Sequence, residues 1–153
     1  MLYSIVLSEL PALEGFIMNK IARLSPSSAA LAVIDMQESF RPAIADFSDV
    51  ASRIGLAVHA ARLLELSVII TEQYPKGLKH TAAEISAHVP AGAEPLPKLC
   101  FSATGADGFS QWLESKNIRQ VLICGIEAHI CVAQTSLDLL EMNYEVFFQT
   151  CVH

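Results

Sequence analysis

Apolar positions along this chain fall into two alternating rhythms. Short unbroken runs (AALAVI before Asp35, SVIIT from Ser67 to Thr71, RQVLIC from Arg119 to Cys124 and a last run from Glu145 to Thr150) read as strands buried on both faces. Between them the apolar residues recur at helical spacing. Val50, Ile54, Leu56, Ala57, Ala60, Leu63 and Leu64 predict a helix over Asp46–Leu66, and similar patterns predict helices over Asp107–Lys116 and Ile130–Met142. SPSS (Ser25–Ser28) is a breaker cluster, Met36–Phe47 reads as a loop turning at Pro42, and Thr71–Ile85 reads as a loop punctuated by Pro75 and Gly77. Pro95–Phe101 is a short extended segment. Strands that alternate with helices imply right-handed βαβ units, hence an α/β fold with a doubly wound, mostly parallel sheet.

Composition agrees with that architecture. The 153 residues suit one domain, and 52% hydrophobic against 17% charged residues fits a sheet covered by helices on both sides. A formal charge of −6 argues against nucleic acid or an anionic membrane as the partner. Four cysteines without CxxC spacing suggest neither a zinc site nor a disulfide framework. A reducing compartment is expected, the cytoplasm first, with mitochondrion and peroxisome left open. No apolar run reaches the roughly 18–20 residues that span a bilayer. Residues 1–17 lack the basic start of a secretory or transit signal and are expected to form an upstream extension, either separate from the domain or packed on it as an amphipathic arm. The domain is expected over residues 18–153. Its last strand runs into Cys151-Val152-His153 with no covering helix, which predicts a domain short of its final elements.

Candidate chemistry gathers at strand ends. Cys131 stands where a strand turns into the first turn of a helix, where free N–H groups and the helix dipole favour a thiolate. Asp35 ends the first strand, and open α/β sheets bind ligands beyond their strands' carboxyl ends. Asp35, His129 and Glu127 are the candidate bases for the thiol. Lys98 lies between two hydrophobic stretches, either buried with a partner or snorkelling outward. Cys124, Cys100 and Cys151 read as space-filling thiols.

Four ordered blocks, VIDMQESF, TEQYPKGL, PKLCFSA and CGIEAHICVAQTSLDLL, resemble the isochorismatase-like cysteine hydrolase superfamily and its eukaryotic isochorismatase domain-containing branch. The resemblance runs from about Ala29 to the end. It implies a six-stranded parallel sheet and a catalytic triad of Asp35 as base, Lys98 as its positioning cation and Cys131 as nucleophile, with no cofactor. It also implies a cis peptide at Ile126–Glu127, which would aim the backbone N–H groups of Glu127 and Cys131 at an oxyanion. Phe40, Gln73, Tyr74 and His129 are candidate substrate contacts. Nicotinamidases of the superfamily hold a metal with an Asp and two His, but TEQYPKGLKH offers only Glu72 and His80, so no metal is expected. The resemblance thus points to a cysteine hydrolase of a small amide or related C–N substrate, in a homo-oligomer. A vinyl-ether hydrolase and an inactive, shortened interaction protein are the alternatives.

Overall fold

Every strand in the computed structural model, which describes residues 23–149, belongs to one sheet. The expectations for residues 1–17 and for Cys151 lie outside the described residues. In chain order the elements are β1 (Ala29–Ile34), α1 (Phe47–Leu63), β2 (Ser67–Gln73), α2 (Pro75–Leu78), α3 (Ala83–Ser86), β3 (Leu96–Lys98), α4 (Phe109–Ser115), β4 (Gln120–Gly125), α5 (Ala133–Glu141) and β5 (Glu145–Phe148). The strands are parallel throughout and ordered β3-β2-β1-β4-β5. The winding reverses at β1, so the gap beyond the ends of β1 and β4 is the topological switch point.

The unbroken apolar runs have a simple cause. Ala30, Ala32 and Ile34 of β1 pack with Phe109 and Leu113 of α4 and Leu139 of α5, while Leu31 and Val33 face Phe47, Ile54 and Val58 of α1 and Ile85 of α3. A strand with helices on both sides has no face left for polar residues.

Three helices end alike. Glu65, Asn117 and Asn143 adopt left-handed backbone at φ 57°, 53° and 64°. The following residues, Leu66, Ile118 and Tyr144, donate their N–H groups back to the carbonyls of Ala61, Leu113 and Leu139. This closure satisfies the last carbonyls and turns an apolar residue inward just ahead of the next strand. It also stops α1 at Leu63, short of the expected Leu66.

The segment expected as a loop after Thr71 is more ordered than its punctuation suggests. β2 continues to Gln73 because β3 pairs with Thr71–Gln73, and Tyr74 N–H then donates to Lys98 O at 2.9 Å. Pro75 opens α2, a position where its missing N–H costs nothing. The sheet has five strands among the described residues, where the resemblance implied six.

Candidate active site

Asp35 leaves the line of β1 with φ 50°, a left-handed conformation that aspartate tolerates better than most side chains. Its carboxylate is buried between two neighbours. Oδ1 accepts the Thr71 hydroxyl at 2.8 Å, and Oδ2 lies 2.6 Å from Lys98 Nζ. Lys98 ends β3, two strands from β1, a gap of about 10 Å at the usual strand spacing. Its side chain is long enough to cross the end of β2 and reach Asp35, and nothing of it is exposed (0%). The ammonium also donates to Gln73 Oε1 at 2.7 Å, Phe101 O at 2.9 Å and Cys100 O at 3.0 Å, and lies 3.7 Å from Cys131 Sγ. A buried lysine is tolerable only with such a complement of acceptors.

Cys131 is delivered from the other side of the switch point. β4 ends at Gly125, where a Cβ would meet Ile34 O at 2.7 Å and Val132 Cγ2 at 3.0 Å, so the chain passes only without a side chain. A π-helical turn over Ala128–Val132 follows, with Val132 N–H donating to Glu127 O at 3.2 Å, and leads directly into α5. Cys131 is buried, and its thiol donates to Glu127 Oε2 at 3.7 Å. Asp35, Lys98 and Cys131 therefore converge from β1, β3 and the β4–α5 turn.

Two expectations for this turn are corrected. No cis peptide occurs among the described residues; Ile126–Glu127 is trans, and the wide π-helical turn reverses the chain instead. The thiol is also not acidified. Its pKa is pushed up from 9.0 to about 12, first by burial and then by the Asp35 carboxylate, against a smaller opposing pull from Lys98. Any benefit from the helix start is outweighed by that burial and by the Asp35 carboxylate, which also holds the nearby cation.

The other candidates scatter. Gln73 reaches the site, but its side-chain oxygen accepts from Lys98, which makes it a support of the ammonium. Tyr74 is exposed with φ 38°, and His129 is exposed on the turn. Phe40 packs on the α1 side of the sheet, against the cluster that holds Phe47, whereas Cys131 belongs to the opposite cluster. Glu72 is buried and engaged by Thr81 N–H (2.7 Å), Thr81 Oγ1 (2.8 Å) and His80 Nδ1 (3.1 Å). Among the described residues no cluster of three or more His, Cys, Asp or Glu could hold a metal ion. A cavity of about 480 Å³ opens beside Lys98, Leu99 and Cys100, yet neither Asp35 nor Cys131 lines it.

Two supporting residues were not singled out from the sequence. Thr71 pairs with Ile34 in the β1–β2 register, which sets its hydroxyl beside Asp35. Gln37, fully buried, donates to Gln73 O (3.0 Å) and Lys79 O (2.7 Å) and accepts from Gln73 N–H (2.8 Å). A glutamine three residues beyond the end of β1 was the available signal, since buried amides need several partners.

A parallel, doubly wound sheet with an aspartate, a lysine and a cysteine meeting at its switch point defines the class. The isochorismatase domain model matches residues 29–150, and the chain belongs to the isochorismatase family. Isochorismatase domain-containing protein 2 of Homo sapiens is 43% identical over 127 residues, which cover 82% of this chain and 60% of that one. The same-named protein of Danio rerio is 42% identical over 126 residues, covering 82% and 62%. The chain thus spans about 60% of the length of these curated relatives. Among solved structures, the MAR1 ribonuclease of Caenorhabditis elegans is 36% identical with a TM-score of 0.75, covering 83% of this chain and 65% of that one. An isochorismatase of Pseudomonas putida, at 16% identity and a TM-score of 0.74 over 84% and 72%, shares the fold.

Proposed function

We propose that the chain carries the active site of a cysteine hydrolase acting on a small amide or related C–N substrate. The observation that supports this reading most is the buried Asp35–Lys98 pair set against the Cys131 thiol, with Lys98 Nζ 2.6 Å from Asp35 and 3.7 Å from the sulfur. A thiol with a raised pKa is protonated at rest, so it must lose its proton as it attacks. Asp35 takes that proton, and the Cys131 sulfur bonds to the carbonyl carbon. Lys98 holds Asp35 in place and stabilises the oxyanion; with Ile126–Glu127 trans, the backbone N–H groups of Glu127 and Cys131 are given no part in the step. Collapse of the tetrahedral adduct breaks the C–N bond, and Asp35 returns its proton to the leaving nitrogen. The resulting thioester is hydrolysed by a water that gives its proton to Asp35 and then back to sulfur. No step calls for a metal or cofactor.

The ribonuclease name of the Caenorhabditis elegans neighbour does not carry over readily. A chain with a formal charge of −6 and two carboxylates about its nucleophile offers little to phosphates. A homo-oligomer is part of the same proposal; an Escherichia coli fold neighbour of 22% identity, the YcaC gene product, is described as an octameric hydrolase of unknown specificity. No helix of the described residues is long and apolar enough to cross a membrane.

The test is direct. The protein is incubated with a panel of small neutral amides, quenched in acid and weighed intact, and the adduct is mapped by peptide. An acyl group on Cys131 that forms in the wild type and is lost in Asp35→Asn and Lys98→Ala supports the reading. Amide hydrolysis that survives Cys131→Ala would overturn it.

A further inference from the structure

The nucleophile has an acidic neighbour that the proposed mechanism leaves without a chemical task. Glu127 Oε2 lies 3.7 Å from Cys131 Sγ; Glu127 caps the start of the π-helical turn that carries Cys131 and is half-buried. The cation that touches the sulfur, Lys98, is itself bound to Asp35 at 2.6 Å and to three neutral oxygens. Asp35 and Lys98 cancel, so Glu127 sets the net charge about the sulfur at minus one. His129, the nearest other titratable side chain in sequence, is exposed.

That residual charge discriminates among substrates. With a neutral carbonyl compound, the proton moves from sulfur to Asp35 while the new oxyanion faces Lys98, and the total stays at minus one from ground state to tetrahedral adduct. A substrate that carries its own carboxylate adds a second uncompensated negative charge within several ångströms of the half-buried Glu127. Like charges about 5–8 Å apart at an effective dielectric of about 20 would slow reaction roughly thirtyfold or more, and screening at the half-exposed Glu127 brings this down to about tenfold. We propose that Glu127 is a specificity-determining residue that makes the Cys131 site select neutral carbonyl substrates over carboxylates. This rests on Cys131 being the nucleophile.

The test uses two alkylating reagents of nearly equal size, neutral iodoacetamide and anionic iodoacetate. Each is reacted with the full chain at pH 9, and Cys131 labelling is followed by peptide mass. The fraction of thiolate and the ease of reaching the sulfur are common to both and cancel in the rate ratio. The same ratio for Cys131 in the urea-unfolded chain gives the intrinsic preference of the reagents. Relative to that reference, the folded protein is expected to disfavour iodoacetate by about tenfold, and Glu127→Gln is expected to remove most of that bias. Equal normalised rates in the wild type, no native labelling of Cys131 by either reagent, or a bias unchanged in Glu127→Gln would each overturn the inference. The hydrolase reading is judged separately by the acyl adduct: discrimination without an adduct sinks that reading alone, and an adduct without discrimination sinks this one alone.

Discussion

Removing the ammonium of Lys98 should harm the fold more than removing the charge of Asp35, and removing both should cost less than the sum. Asp35 has the Thr71 hydroxyl, the Cys131 thiol and Lys98, whereas Lys98 has Asp35 and three neutral oxygens from Gln73, Cys100 and Phe101. In Lys98→Met the apolar stem is kept, but the carboxylate is left buried with only a neutral hydroxyl and a thiol as donors. Breaking a buried pair in this way costs about 3–5 kcal/mol, and the three orphaned oxygens place the loss at the upper end. In Asp35→Asn the ammonium keeps its neutral acceptors, so the expected loss is about 1–3 kcal/mol. In the double variant no charge is stranded, so its stability should at least match that of Lys98→Met, a coupling of about 2 kcal/mol or more. Urea unfolding of the four proteins, compared at a common slope, measures all three terms. Additivity within about 0.5 kcal/mol, or Asp35→Asn proving the more damaging single change, would refute the picture of a charge pair sustained by Lys98's acceptors.

Other changes probe the surroundings of that pair. Thr71→Val keeps the shape but removes the hydroxyl donated to Asp35 at 2.8 Å, and a lost bond to a buried charge predicts a fall of about 1.5–3 kcal/mol by urea unfolding. Gln37→Met breaks three hydrogen bonds at once, two of them to Gln73 beside Lys98, and should cost about 2–4 kcal/mol by urea unfolding. The Cys131 thiol holds its proton more tightly when folded than when unfolded, so between pH 9 and about 12 the folded state binds more protons and stability falls as pH rises. Cys131→Ala should flatten that fall, seen as Tm against pH; an unchanged slope would contradict the raised pKa. Gly55→Ala would drive a methyl into the Glu84 carbonyl where α1 crosses α3, and a loss of about 1–3 kcal/mol in thermal unfolding is expected despite alanine's better helix propensity.

The framework of the molecule was legible because buried parallel strands leave a plain mark: β1, β2 and β4 are near-continuous apolar runs, and each strand end found from pattern alone falls within two residues of the observed one. What escaped was structure fixed by distant partners. β2 gains Glu72 and Gln73 only because β3 pairs with them, and β3 has just three residues, too few to show any period. The helix stops at Asn117 and Asn143 were readable, since asparagine tolerates left-handed backbone, but Glu65 in the same role carries no such mark. The site divides the same way. Asp35 and Cys131 could be placed at strand ends by topology, whereas Lys98 lies two strands from Asp35, and its burial follows from acceptors spread over Gln73, Cys100 and Phe101. The helix-start expectation for Cys131 failed for a related reason. A dipole argument treats the thiol and its own helix alone, while the sulfur is buried and lies beside the Asp35 carboxylate, which together outweigh the pull of Lys98. Local sequence therefore locates the candidate groups, whereas the raised pKa of the thiol follows first from burial and then from a carboxylate two strands' worth of chain away in sequence.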